Sequence, residues 1–254
     1  MGYELFFEIQ KAKHNILAVK SIPRKQREIE ARLNRRLGGI FGEVLDTVLR
    51  EFERRGRVPS DEATRRAIIA RMFDIEDDFG QILAEEGLEA ADYGRRRTVN
   101  SVRQQGVSAT FDQFSERVRD NIRNTAFRAS QQTLNRMSGD VMGTIAKAYE
   151  EGLGIDDGAK LLGDHFDSMK DFELKRIART ETNSFQNEGA QQTMDELGIG
   201  YEQWWTAEDE RVRQEDADHV RMHSQIIRRG GTFSNGLKYP GDRSGPIREW
   251  INCR

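Results

Sequence analysis

Only four prolines interrupt this chain, at Pro23, Pro59, Pro240 and Pro246, so the stretch from Ser60 to Tyr239 contains none. Proline removes a helical N–H and clashes with the preceding turn. Its absence over such a length leaves long helices as the default. Between Pro23 and Pro59, the apolar residues Ile29, Leu33, Leu37, Ile40, Val44, Val48 and Phe52 recur at threes and fours, which places them on one helical stripe. Gly38-Gly39 is expected to loosen or kink that helix. Pro59-Ser60-Asp61-Glu62 reads as a new start, with Ser60 as N-cap and two acids facing the positive end of the helix dipole. Ile68, Met72, Ile75, Phe79 and Ile82 continue a stripe to about Glu86, and Phe111, Phe114, Val118, Ile122 and Ala126 carry another towards Leu134.

After Gly198-Ile199-Gly200 the pattern changes. Tyr201 to Ala207 is aromatic-rich and reads as a strand, and Thr232 to Tyr239 contains the Asn235-Gly236 signature of a tight hairpin. Pro240-Gly241-Asp242 is turn chemistry, and Trp250 to Cys253 reads as a short closing strand. The expected fold class is therefore α+β: a mostly helical, extended amino-terminal arm over residues 1–140, followed by a small α+β domain with a β-hairpin over 141–254. That second piece is expected to fold alone.

A third of the residues are charged and the mean hydropathy is clearly negative, which predicts stripes that rely on partners rather than a large hydrophobic core. No apolar run approaches the length of a membrane span, and Leu5-Phe6-Phe7 is flanked by Glu4 and Glu8. The single cysteine, Cys253, excludes an internal disulfide framework and fits a reducing compartment. Net charge is −3, too balanced for a protein that mainly coats nucleic acid. The distribution is uneven: residues 1–60 hold 13 Lys/Arg against 8 Asp/Glu, a balance of +5, and residues 61–170 hold 15 against 20, a balance of −5. Ordinary solvated helix faces account for this, although a basic amino-terminal segment could also touch DNA.

The most specific feature is an ordered series in the last eighty or so residues. It runs Arg179-Thr180-Glu181-Thr182-Asn183, then Trp204-Trp205-Thr206, Asp209 and Arg211-Val212-Arg213, then His219, then Tyr239-Pro240-Gly241-Asp242, and ends on Asn252-Cys253-Arg254. This series resembles the carboxy-terminal domain of phage Mu F-like head morphogenesis proteins, the minor capsid proteins of tailed bacteriophages. The likeness starts near Thr144, where Ala146 to Leu162 reads as a helix, a glycine break and a second helix leading into the domain. Two departures stand out: Ser224 occupies a place where the family commonly has glycine, and many members continue to a second cysteine beyond the position of Arg254.

The resemblance implies a low-copy virion protein, bound to portal protein at the portal vertex or head interior and present in host cytoplasm during assembly. Major capsid or scaffolding protein and packaged double-stranded DNA are further implied partners. Within this reading Arg179, Glu181, Asn183, Trp205, Asp209, Arg213, His219, Pro240, Gly241, Asp242, Asn252 and Cys253 form a structural motif, and the stripe residues Leu33, Leu37 and Val44 are expected to meet the portal ring.

The same polar residues admit other chemistry. His219 beside Arg213 and Glu181 could serve a metal-independent nuclease, with the histidine moving the proton and arginines holding phosphorane charge. The competing account is a charge-paired lattice, with Glu181 bonded to Arg213 or Arg179, Asp209 capping a turn and Asn252 satisfying an edge strand. His219 and His223, four apart, would share a face if Glu215 to Ser224 were helical. With Asp209, Asp216, Asp218 and Cys253 they make only a weak zinc inventory, lacking His-Glu-x-x-His and cysteine pairs. Glu208-x-Glu210 downstream of Arg179 is a faint likeness to arginine ADP-ribosyltransferases. No Walker loop or Gly-x-Gly-x-x-Gly occurs, so no cofactor is expected. Trp204, Trp205 and Trp250 are expected in the small domain's core rather than as a base-stacking platform.

Overall fold

The computed structural model describes residues 23–104, 106, 108–110, 113–206, 212–214 and 219–251. The protein is α+β, 74% helical, with a two-stranded antiparallel sheet near the carboxy terminus. The described helices are α1 (Arg24–Arg54), α2 (Glu62–Ile69), a 3₁₀ turn (Ala70–Ile75), α3 (Glu76–Gln104), α4 (Glu116–Glu150), α5 (Ile155–Ser168), a π-helical turn (Met169–Glu173) and α6 (Leu174–Glu196). Then come β1 (Tyr201–Gln203), α7 (His219–Met222), β2 (Ile226–Arg228) and α8 (Ile247–Trp250). Among the described residues, no helix is long and apolar enough to cross a membrane.

Local chemistry explains most boundaries. α1 runs through Gly38-Gly39 without a break. The cap of α2 is Asp61 rather than Ser60, because the Asp61 carboxylate accepts the Thr64 N–H at 2.8 Å. That bond holds the Asp61 carboxyl below its ordinary range. α4 ends on Gly152, left-handed at φ 68°, with Leu153 N–H donating to Ala148 O at 3.0 Å and Gly152 N–H to Tyr149 O at 3.0 Å. This is a Schellman closure, and α6 repeats it at Gly198, where Ile199 N–H donates to Met194 O at 2.9 Å.

The chain folds as two compact units, each gathered from separated segments: Met1–Ile29, Gly87–Arg119 and Arg179–Arg254 in the first, Glu30–Glu86 and Asp120–Ala178 in the second. The expected division at 140/141 falls inside α4, and the unit holding the carboxy-terminal elements also takes Gly87–Arg119.

The expectation of stripes without an enclosed core is corrected in the second unit. Leu33, Leu37, Phe41, Leu45, Val48 and Phe52 of α1 are 0–1% exposed, as are Met72, Phe79 and Leu83. The stripes close on one another: Phe41 meets Phe79 edge-on at 5.2 Å. The Glu86 carboxylate, buried, is clasped by Arg32 at 2.6 and 2.8 Å and by Arg36 at 3.0 Å. Leu33, Leu37 and Val44 thus belong to the protein's own interior, and are not the portal-facing surface expected of them.

In the first unit α3 and α6 run in the same direction at backbone contact. A Cβ on Gly94 would lie 1.9 Å from Gln186 O, and one on Gly189 would lie 2.1 Å from Ala91 O. Phe185 covers Gly87 at the start of this crossing. Further along, Arg95, 6% exposed at its side chain, pairs with Glu196 at 2.6 Å and lies over the Phe114 ring at 4.7 Å.

Candidate functional site

The motif residues that fall among the described positions gather around α6 and the loops that follow it. Thr180, Glu181, Thr182, Asn183, Ser184 and Gln186 are all buried, an unusual density of polar side chains on one helical stretch. The Pro240-Gly241 turn explains part of it. Asp242 N–H donates to Tyr239 O at 3.1 Å, with Pro240 second and Gly241 third at φ 83°, the arrangement of a type II turn. The turn lies flat on α6: a Cβ on Gly241 would be 3.0 Å from Ser184 Cα, and Ser184 Oγ donates to Gly241 O at 3.0 Å. Asp242 locks the loop by accepting from Lys238 N–H at 2.9 Å, Ser244 N–H at 2.9 Å and Ser244 Oγ at 2.7 Å. Burial pushes the neighbouring Tyr239 hydroxyl well above its ordinary range, with Glu188 and Asp242 adding to the effect.

Glu181 is ion-paired, but with Arg243 rather than Arg213 or Arg179. The Arg243 guanidinium also lies over the rings of Phe185, at 5.5 Å, and Trp250, at 5.4 Å. Arg243 follows the Pro-Gly-Asp turn directly, so its position in the sequence was the only available clue to this role. Glu181→Ala is expected to cost about 2–3 kcal/mol, because it strands a guanidinium whose side chain is only 23% exposed. Urea denaturation measures this, and an unchanged midpoint would mean the pair is energetically silent.

His219 is 5% exposed, with Nε2 3.2 Å from Glu249 Oε2 and its ring 5.5 Å from Trp204. Glu249 was not foreseen: it lies on Ile247–Trp250, a short helix started by Pro246 just ahead of the expected Trp250–Cys253 strand, of which Asn252 and Cys253 lie outside the described residues. Arg213 sends its guanidinium to Ile251 O, and its own carbonyl accepts His219 N–H at 3.1 Å. His219 and His223 do not share a face directed at one point. His223 packs on Trp205 at 4.4 Å, and its Nδ1 lies 2.9 Å from Thr206 Oγ1. Asn183, 4% exposed, accepts from Asn187 Nδ2 at 3.2 Å. Arg179 is half-buried at the head of the series. Asp209, Asn252 and Cys253, with Glu208, Glu210, Asp216 and Asp218, lie outside the described residues.

An apolar cluster supports these loops: Trp204, Met222, Phe233 and Leu237, with Ile227 and Trp250 against it. Trp204 is a core aromatic as expected, but it sits just past β1, which spans three residues only. β1 pairs with β2 in the register Tyr201↔Arg228, Glu202↔Ile227 and Gln203↔Ile226. The Asn235-Gly236 turn does close, with Phe233 N–H donating to Leu237 O at 2.8 Å, yet no strands flank it. β1 therefore lies within the expected strand, and its partner β2 is the element that was not foreseen.

The sheet is tied to α6 by Arg229, which reaches Gln191, Asp195 and, at 3.3 Å, Glu202. Gln191 Nε2 donates to Glu202 Oε2 at 2.6 Å. Burial raises the Glu202 carboxyl, and hydrogen bonds from Gln191 and Arg229 oppose it.

Chemically, this arrangement holds segments together. Glu181, Arg213 and His219 each meet a different partner within the fold. Among the described residues, no three His, Cys, Asp or Glu are placed to hold a metal ion. Comparison with known proteins finds no matching family model, no matching curated protein and no matching solved structure.

Proposed function

We propose that this chain is a structural minor head protein of a tailed phage, bound to the portal vertex and acting by association in head assembly and DNA packaging or ejection. The observation that carries this reading is that the ordered series converges physically. The Arg179-to-Asn183 helix and the Pro240-Gly241-Asp242 turn are joined through Glu181–Arg243 and Ser184–Gly241, and His219 pairs with Glu249, whose neighbour Trp250 lies against Arg243. Such a lattice fits residues selected for shape rather than turnover. With His219 and Glu249 only 7% and 5% exposed at their side chains, a substrate phosphate would have to enter an occupied interior.

Ser224 gives independent support. It is the non-glycine residue with positive φ, at 68°, among the described residues. That is the conformation glycine adopts without cost, at the place where the resembling family carries glycine. Ser224→Gly is therefore expected to raise stability by about 0.5–1 kcal/mol. A lower melting temperature would show that the serine side chain contributes something the backbone does not require.

The functional test is co-expression with candidate portal proteins. Stable co-purification at low copy number per portal ring, with no RNA or DNA cleavage with or without divalent metal, is the expected result. Cleavage that vanishes in a folded His219→Ala variant would overturn it in favour of a nuclease.

A further inference from the structure

We propose that Asn235 is a self-modification site, at which the chain converts asparagine to aspartate or isoaspartate through a cyclic imide formed with the Gly236 peptide nitrogen. Asn235 is the one asparagine of the sequence that is followed by glycine. In the fold this pair is not the tip of a hairpin but a loop turn, closed over the cluster that contains Phe233 and Leu237.

The loop brings the reacting groups together. Asn235 Oδ1 accepts Leu237 N–H at 3.1 Å, and a side-chain oxygen that reaches two residues along the chain folds its own carbon back beside the intervening nitrogen, that of Gly236. The same Leu237 N–H faces the oxygen on which negative charge gathers when that nitrogen adds to the carboxamide carbon, so it serves as an oxyanion donor. Gly236 presents no Cβ to the approach, is exposed, and holds φ at 83°, where a side chain would be strained. On the leaving side, Asn235 Nδ2 is buried without a hydrogen-bond partner, so no bond of the fold retains it. One contact opposes the reaction: Gly236 N–H donates to Phe233 O at 2.9 Å and has to open before hydroxide reaches its proton. That is an isolated turn bond on an exposed residue, unlike the laddered N–H groups of a helix.

Water is the only co-reactant. Hydroxide removes the Gly236 amide proton, the nitrogen bonds to Asn235 Cγ, and the Cγ–Nδ2 bond breaks, Nδ2 taking a proton from water to leave as ammonia. Water then opens the imide: cleavage at Cγ gives aspartate, and cleavage at the backbone carbonyl gives isoaspartate. One water is taken up and one ammonia released, and ionisation of the new acid takes the formal net charge from −3 to −4. Isoaspartate also routes the backbone through the side chain and inserts a methylene between residues 235 and 236. The closure from Phe233 N–H to Leu237 O, at 2.8 Å, spans that insertion and holds Leu237, fully buried, in the apolar cluster. The reaction therefore marks the age of a chain and loosens this loop.

The test is mass spectrometry of the folded full chain incubated in mildly alkaline buffer and then digested at mildly acidic pH. Trypsin releases residues 230–238, in which Asn235 is the single amide side chain, and residues 98–103, in which Asn100 is. Asn100 is also exposed, but the N–H that follows it lies within α3 and Ser101 carries a Cβ. The 230–238 peptide is expected to convert at least about tenfold faster than 98–103, because opening one loop bond costs less than opening a helix. Its rate should rise in proportion to hydroxide concentration, and a protein isoaspartate methyltransferase should label it. Asn235→Gln, which needs a larger ring, is expected to abolish conversion at this peptide. An unaltered 230–238 peptide from the folded chain, under conditions that convert a synthetic peptide of the same sequence, would overturn the proposal, as would equal rates at Asn235 and Asn100.

Discussion

Gly94→Ala or Gly189→Ala is expected to destabilise the protein by at least about 3 kcal/mol, although each adds only one methyl group. The added carbon would meet a carbonyl oxygen at 1.9 or 2.1 Å, and helix backbone cannot step aside as a side chain can. The two helices would have to separate, which breaks the Arg95–Glu196 pair and lifts Phe185 from Gly87. Gly139 and Gly143 of α4 have nothing within 4 Å, and alanine there should be neutral or stabilising by up to about 1 kcal/mol. Denaturant unfolding of the four variants separates the cases. Equal midpoints across the set would mean that α3 and α6 do not touch as described.

The second large effect concerns α1. Leu37→Asp is expected to cost about 5 kcal/mol or more, combining the loss of a buried leucine with the burial of an unpaired carboxylate. Leu37 is fully buried among α1 residues that are themselves 0–1% exposed. Loss of helical ellipticity and rapid trypsin digestion are the readouts. A variant that melts normally yet no longer associates with portal protein would show that the α1 stripe is an interface after all.

What the sequence revealed was whatever a few neighbouring residues decide. The ends of α4 and α6 were legible because a glycine in the left-handed region stops a helix regardless of its surroundings. The Pro240-Gly241 turn was legible for the same reason. Partner choice was not: the carboxylate of Glu181 could meet any nearby arginine, and Arg243 won because the turn delivers it to α6 from 62 residues away. The short strands were overestimated because Trp204 and Phe233 satisfy their aromatic surface in a loop cluster, which needs no extended backbone. The burial of Leu33, Leu37 and Val44 was hidden by composition, since a highly charged chain can still close its stripes on one another.

The interleaving of the two compact units sets an order of events during synthesis. The unit built from Glu30–Glu86 and Asp120–Ala178 has all its parts once residue 178 clears the ribosome. The other must hold Gly87–Arg119 in waiting until residues 179–254 emerge. At about 5–20 residues per second, that delay lasts several seconds. For the first part of it, until α6 is complete at Glu196, the glycine-lined stretch of α3 around Gly94 stands without its helical mate, an open seat that a chaperone or an assembling neighbour could occupy first.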